Sequence, residues 1–482
     1  MLAVQNTSRQ FLSTPLVCHL SRRWKFKKKH FQTSKKLGPE VRALQFFDRY
    51  YSPIFGKQWP SIRIALLSRP KYCALVNNLS RSRDDIIADL SSLGAYDINR
   101  PKKKAPKKKK VKKDGYEKDN EIESHEEAAL NEQTSEISER RNDMDSSLSE
   151  DNTHSDTEER DDVDIHSDSE DEDIYSGRVG QVINMHDFIP PAKVYTQDEL
   201  TLQTQQEQSL PVEDGEEVIQ IIPRRDLKIP PELRVHIFPK RNVSTFKKPV
   251  GAGYYLMDAA SLLPVFALSL TSNCRVLDLC SGPGGKALAM MQTMNIEQLT
   301  CVDISLSRLR RVRSVMDRYL GGVGHIIDYH HMNGIRWVAA NPDVIYDRVL
   351  VDVPCTTDRH VLSPDEEDSI FKPARTKERL QLPKLQQELL KSGMQCCKPG
   401  GAVVYSTCTL SPGQNDQVVY AAIMDLHHNS EMQFVIEDLS CLVDAFRNVY
   451  YFDNHCKYGQ LVLPHLAANF GPMYIAKIRR LN

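Results

Sequence analysis

Between residues 275 and 407, short β-branched runs alternate with amphipathic stretches. Arg275–Cys280 (RVLDLC), Leu299–Ile304 (LTCVDI), His325–Tyr329, Asp347–Val353 (DRVLVDV) and Ala402–Thr407 (AVVYST) read as strands, and Lys286–Met294 and Ser305–Leu320 as helices between them. The alternation predicts an α/β fold, a Rossmann-like and mostly parallel sheet with helices on both faces. The terminal run Met473–Ile478 (MYIAKI) adds one antiparallel strand. Ahead of this block, Ala43, Phe46, Phe47, Tyr50 and Tyr51 recur at helical spacing, and Ile62, Ala65 and Leu66 open a second amphipathic stretch. They predict a helical N-terminal arm over 37–98, with the sheet domain over 226–482.

Composition changes the picture of what lies between. Residues 99–225 are rich in Lys, Glu, Asp and Ser and poor in aromatics, with a Lys107–Lys113 run followed by an acidic serine-rich tract around Asp161–Asp173. Such a segment cannot bury enough apolar surface to offset its ordering entropy, so a disordered charged linker is expected. The net charge of −1 is the cancellation of these blocks and says little about partners. The lysine run also admits a nuclear import signal. No acidic residue precedes Glu40, whereas Arg9, Arg22, Arg23, Lys25, Lys27, Lys28, Lys29, Lys35 and Lys36 do. Residues 1–36 therefore read as a mitochondrial transit peptide with an unreadable cleavage point, which predicts the matrix; the alternative is a basic arm that binds nucleic acid. The eleven cysteines include no Cys-x-x-Cys pair, so no metal site is expected, and a reducing compartment fits an odd count. No apolar run reaches membrane-spanning length.

The first strand runs into Ser281-Gly282-Pro283-Gly284-Gly285-Lys286 and then a helix. Glycines admit close approach of a ligand, and the helix start offers free N–H donors. A nucleoside-triphosphate loop needs glycine at 280 and Ser or Thr at 287; Cys280 and Ala287 stand there, and the dinucleotide glycine spacing fails too. The loop suits the amino-acid end of S-adenosylmethionine. Asp303 at the next strand end is placed to accept ribose hydroxyls, or else only caps the following helix, as Ser305 also would.

Two cysteines end later strands, in Asp352-Val353-Pro354-Cys355-Thr356 and Tyr405-Ser406-Thr407-Cys408-Thr409. A lone cysteine is usually a small buried hydrophobe, which is the reading for Cys73, Cys301, Cys396 and Cys397. Two thiols facing a methyl donor suggest covalent catalysis. Carbon 5 of cytosine is a poor nucleophile until a thiolate adds to carbon 6 and loads electron density onto carbon 5. A free cysteine titrates near ~8.5, so a cation is expected to help form the thiolate, with Lys286 the candidate. Asp352 is placed to hydrogen-bond the cytosine. Arg359, Lys372, Arg375, Lys377 and Arg379 form a candidate phosphate track or a solvated face.

LDLCSGPGGK (277–286), DVPCT (352–356), KPGGAVVYSTCTL (398–410) and Gln414-Asn415 resemble the Nop/Sun-domain RNA cytosine-5 methyltransferases. WPSIR (59–63), KYCALVNN (71–78), YYLMDAASLLPV (254–265), DVPCTTDRH (352–360) and NFGPMYIAKIRR (469–480) are similar to the family's mitochondrial branch, which acts on small-subunit ribosomal RNA. The resemblance covers roughly 41–80 and 232–482. It implies Cys408 as nucleophile and Cys355 as the helper that releases product, a choice the residues alone leave open. It implies cofactor contacts at Gly284, Gly285, Lys286, Asp303, Arg308, Asn333, Gly334 and Asp352. Asn333 departs from the Asp usual there; its amide oxygen still accepts but carries no charge. The resemblance further implies a role in mitochondrial ribosome assembly and a helical-repeat partner similar to mitochondrial transcription termination factors. Two rivals remain: a mainly non-catalytic assembly factor on this fold, and a DNA methyltransferase.

Overall fold

The β-branched runs fold as the parallel sheet their alternation predicts. In the computed structural model, which describes residues 37–99, 219–223, 227–239, 245–247, 251–363 and 368–482, all described residues fall in one compact unit. The expected transit peptide and nearly all of the expected linker lie outside the described residues.

The arm opens with α1 (Pro39–Phe55) and α2 (Trp59–Leu67). Proline near the start of each suits the first turn, where no intrahelical N–H bond is lost. Ala43, Phe47, Tyr50, Tyr51 and Phe55 form the buried stripe of α1 and join the large core they share with the sheet. The arm is not helical throughout. Cys73–Val76 is a strand, β1, with all four residues buried, and after α3 (Arg83–Ser92) comes β2 (Tyr96–Asp97). With β3 (Ile221–Ile222) set aside on the large sheet, β4 (Val235–Ile237) and β5 (Tyr254–Met257) complete a four-stranded sheet in the order β2-β4-β1-β5. Arm and sheet domain thus share hydrogen-bonded strands: Ala74 pairs His236 on one side and Leu256 on the other.

The central sheet follows α4 (Leu263–Leu268). Its strands are β6 (Cys274–Asp278), β7 (Ile296–Asp303), β8 (Ile327–His331), β9 (Tyr346–Asp352) and β10 (Cys397–Thr407). They lie in the order β10-β9-β6-β7-β8, all parallel. The helices α5 (Gly285–Met291), α6 (Leu306–Leu320), α7 (Thr376–Gln395) and α8 (Asp416–Asn429) connect or follow these strands. The terminal strand joins β10 antiparallel, as expected, and three short strands extend that edge. These are β11 (Phe434–Glu437), β12 (Phe452–Asp453) and β13 (Gln460–Val462), with β14 being Met473–Arg480. Strand order reverses at β6, between β7 and β9, and a crevice beyond the carboxyl ends there is where such sheets bind ligands.

Candidate active site

Backbone geometry makes the pocket. The chain leaves β6 at Asp278 and turns through Gly282–Gly285 into α5, enclosing a cavity of about 200 Å³ lined by Tyr255, Met257, Asp278, the glycine loop, Lys286 and Asp352. Gly284 has φ +103° and lies against α6: a β-carbon there would stand 3.1 Å from the Val312 backbone. Only glycine meets both demands without strain. Asp303, at the end of β7, accepts from the Gly282 N–H at 2.9 Å and the Ser305 N–H at 2.8 Å, so it braces the loop from below. Arg308 donates to the Gly282 carbonyl and pairs Asp303 at 3.5 Å. Ser305 caps α6, so the cap and the possible ribose site are separate residues.

Three carboxylates, Asp278, Asp303 and Asp352, converge on this loop against Lys286. Both oxygens of Asp278 are buried without a hydrogen bond of good geometry, the Cys280 N–H being a weak neighbour that only partly opposes the rise in its pKa. Burial first, then the Asp352 charge, pushes its carboxyl up to about 8, with Asp303 adding to and Lys286 opposing the rise. A pocket whose buried Asp278 carboxyl can ionise toward a cation fits S-adenosylmethionine, which carries a sulfonium and an ammonium. Ile304, next to Asp303, is an apolar side chain 65 % exposed, a position the sequence patterns did not single out.

The two cysteines meet at the adjacent rim. Cys408 follows β10 directly and Cys355 lies on the loop after β9, with their sulfurs 3.3 Å apart. Ser406 donates to Asp352 Oδ1 at 2.6 Å and Lys286 Nζ to Asp352 Oδ2 at 2.8 Å. This pairing keeps Lys286 charged: burial opposes its protonation, but Asp352 outweighs it and raises the value. The Lys286 charge acts on the Cys408 thiol in the expected direction, but it does not prevail. The hydrogen bond with Cys355, burial and the Asp352 charge together hold the Cys408 thiol well above its ordinary value, and Lys286 only partly offsets them. Without bound ligands these neighbours favour the protonated form of Cys408.

Asn333 and Gly334 sit after β8. The Asn333 amide oxygen accepts from the Ile335 N–H at 3.0 Å, so one lone pair caps a turn. Gly334 is buried where a β-carbon would stand 3.0 Å from Leu279 and Leu389. Packing alone therefore accounts for this glycine.

The candidate phosphate track largely resolves into structural contacts. The Arg359 guanidinium is spent on Gly471 O at 2.8 Å, Ala65 O at 3.0 Å and Asn469 Oδ1 at 2.8 Å, tying α2 to the C-terminal segment. Arg375 grips Glu378, and Arg379 lies over the rings of Phe46 and Phe371 at 4.9 and 5.1 Å. Their spacing after the Pro-Cys motif resembled a basic face because a sequence does not show which carbonyls and rings surround each cation. Sequence reasoning also missed Asp358, a buried carboxylate behind both thiols that accepts from Tyr51, Thr356, Thr409 and the Leu410 N–H.

A family model described as 16S rRNA methyltransferase RsmB/F matches residues 265–479. A 5-cytosine rRNA methyltransferase NSUN4 of Xenopus laevis is 36% identical over 467 residues, which cover 96% of each chain. The 5-cytosine rRNA methyltransferase nsun-4 of Caenorhabditis elegans is 33% identical over 509 residues and the match covers 100% of both chains. A mitochondrial tRNA (cytosine(34)-C(5))-methyltransferase of Danio rerio is 37% identical over 231 residues, covering 47% of this chain and 61% of its own.

Proposed function

The chain belongs to the family of 5-cytosine rRNA methyltransferases that includes NSUN4, and from that premise we propose that it methylates carbon 5 of a cytosine in ribosomal RNA through a covalent cysteine adduct. The observation that carries the reading is the Cys355–Cys408 pair, 3.3 Å apart, beside the Asp352–Lys286 pair at the rim of the pocket. A methylase of an exocyclic amine or a ribose hydroxyl has no use for two facing thiols.

In this reading Gly284, Gly285, Lys286, Asp303, Arg308, Asn333, Gly334 and Asp352 hold S-adenosylmethionine or shape its pocket. The cofactor supplies an electrophilic methyl on sulfur. The Cys408 thiol gives up its proton to solvent and its sulfur bonds to cytosine carbon 6. Asp352, fixed by Ser406 and Lys286, accepts from the exocyclic amine of the ring and steadies the adduct. Once carbon 5 carries the methyl, a base, in this reading the Cys355 thiolate, takes the carbon 5 proton; the C–H electron pair forms the carbon 5–carbon 6 double bond and the Cys408 sulfur leaves as thiolate. Cys355 assists that release from 3.3 Å away. Entry of the base displaces the thiol–thiol hydrogen bond, one of the contacts that keeps Cys408 protonated, so substrate binding itself favours the thiolate.

The acid-free start and the mitochondrial relative support a mitochondrial matrix protein, with the small-subunit ribosomal RNA as substrate and ribosome assembly as the setting. A helical-repeat partner of the mitochondrial transcription termination factor type would supply RNA contacts that Arg359, Arg375 and Arg379 do not. Tritiated methyl transfer to small-subunit ribosomal RNA, compared with DNA, tests the substrate class. Transfer to RNA alone supports it, and equal transfer to DNA contradicts it.

A further inference from the structure

The two cysteine loops leave different strands, and nothing in the sheet fixes how their sulfurs face each other. β9 and β10 are paired only as far as Asp352 and Ser406. Beyond that point the separation depends on side chains. Thr356 directly follows Cys355, and Thr409 directly follows Cys408. Both hydroxyls reach one oxygen of the same carboxylate: Thr356 Oγ1 donates to Asp358 Oδ1 at 2.6 Å and Thr409 Oγ1 at 3.0 Å. The other oxygen, Oδ2, accepts from the Leu410 N–H at 2.8 Å and from the Tyr51 hydroxyl at 2.7 Å.

Tyr51 comes from α1, about three hundred residues away in the chain, and is fully buried. Its ring is held at 5.2 Å from Phe47 and 5.5 Å from Trp59, so the hydroxyl has a fixed origin. Asp358 is itself wholly buried. A carboxylate in that setting is stable only when its lone pairs are filled, and here four donors fill them. Losing one donor leaves a charged acceptor short of a partner and frees the loop that the donor had pinned.

We propose that Asp358, with Tyr51 of the arm, is a positioning residue that clamps the two cysteine loops and so sets the spacing at which Cys355 can release the Cys408 adduct. The inference rests on the covalent mechanism proposed above. Neither residue touches the reacting atoms. Their effect falls on release more than on cofactor binding, because the clamp lies behind the thiols, whereas the cofactor loop is braced separately by Asp303 and Arg308.

The test compares wild type, Cys355→Ala, Tyr51→Phe, Thr409→Val and Asp358→Asn in four measurements: S-adenosylmethionine affinity, KM for RNA, turnover, and the fraction of protein bound covalently to RNA on a denaturing gel. Tyr51→Phe is expected to keep cofactor affinity and KM, to lose about tenfold or more in turnover, and to accumulate the adduct as Cys355→Ala does but to a smaller extent. A loss that is only structural would lower turnover in proportion to the folded fraction and leave the adduct fraction per folded molecule at the wild-type level. That outcome, or wild-type turnover in Tyr51→Phe and Thr409→Val, overturns the proposal. If Asp358→Asn does not fold, those two variants decide. Absence of any adduct in Cys355→Ala would instead overturn the covalent mechanism, which separates the two failures.

Discussion

Asp278 is the group whose perturbation reports most directly on the pocket. Its carboxyl sits at about 8, first from burial and then from the Asp352 charge. At pH 7 such a group is about nine-tenths protonated, against less than about one part in a thousand for an ordinary carboxyl. A cationic ligand in the cavity favours the ionised form, so binding should expel about 0.9 proton at pH 7. The linked affinity then rises with pH by up to about tenfold, or ~1.4 kcal/mol, for each unit climbed toward 8, and levels off above it. Titration calorimetry of S-adenosylmethionine binding in two buffers of different ionisation enthalpy measures the proton directly. Asp278→Asn should abolish both the buffer dependence and the pH slope. The same shift has a stability consequence with a definite sign. The folded value lies above the unfolded one, so the ligand-free fold gains from this proton fully below pH ~4 and loses that gain as pH rises through 8. A binding enthalpy independent of buffer, with a flat affinity from pH 6 to 9, would refute the reasoning.

Phe47→Ala removes a fully buried ring from the shared core and should cost about 3–5 kcal/mol, read as a lowered midpoint in chemical denaturation; an unchanged midpoint would mean that the arm is dispensable. Asn333→Asp should keep the turn cap, since aspartate accepts the Ile335 N–H as well, and bind cofactor equally or more tightly; clearly weaker binding in calorimetry would remove Asn333 from the adenine side. Glu437 is buried between Lys477 at 2.8 Å and Arg479, and although burial alone would raise its carboxyl, the two cations hold it below its ordinary value. Its stabilising contribution is therefore present at neutral pH and lost as acid protonates it through that lowered value, and Glu437→Gln should cost about 3–5 kcal/mol at pH 7 and flatten the acid limb of the thermal midpoint against pH.

The parallel strands were legible because each is a β-branched run followed by an amphipathic helix, and burial on both faces leaves little ambiguity. β1 was not, because four consecutive buried residues carry no alternation and the strands that cover them come some 160 to 180 residues later. The glycine loop and both cysteines stood out as short motifs whose chemistry is local. Asp358 and Tyr51 did not, since an aspartate two residues from a threonine is unremarkable until Thr409 and Tyr51 arrive from distant parts of the chain. Arg359 failed in the opposite direction: it looked like a nucleic-acid contact, yet backbone carbonyls of α2 and the C-terminal segment consume its donors. The state of the Cys408 thiol was out of reach for the same reason, because a pKa depends on a neighbouring sulfur and a carboxylate that only folding brings close.

The central claim is a carbon 5 methylation through Cys408, and nucleoside mass spectrometry of ribosomal RNA incubated with the protein and methyl-deuterated S-adenosylmethionine tests it most directly. The account predicts labelled 5-methylcytidine with wild type, none with Cys408→Ala, and a covalent protein–RNA species with Cys355→Ala. Label at another position of the nucleoside, or undiminished 5-methylcytidine from Cys408→Ala, would contradict it.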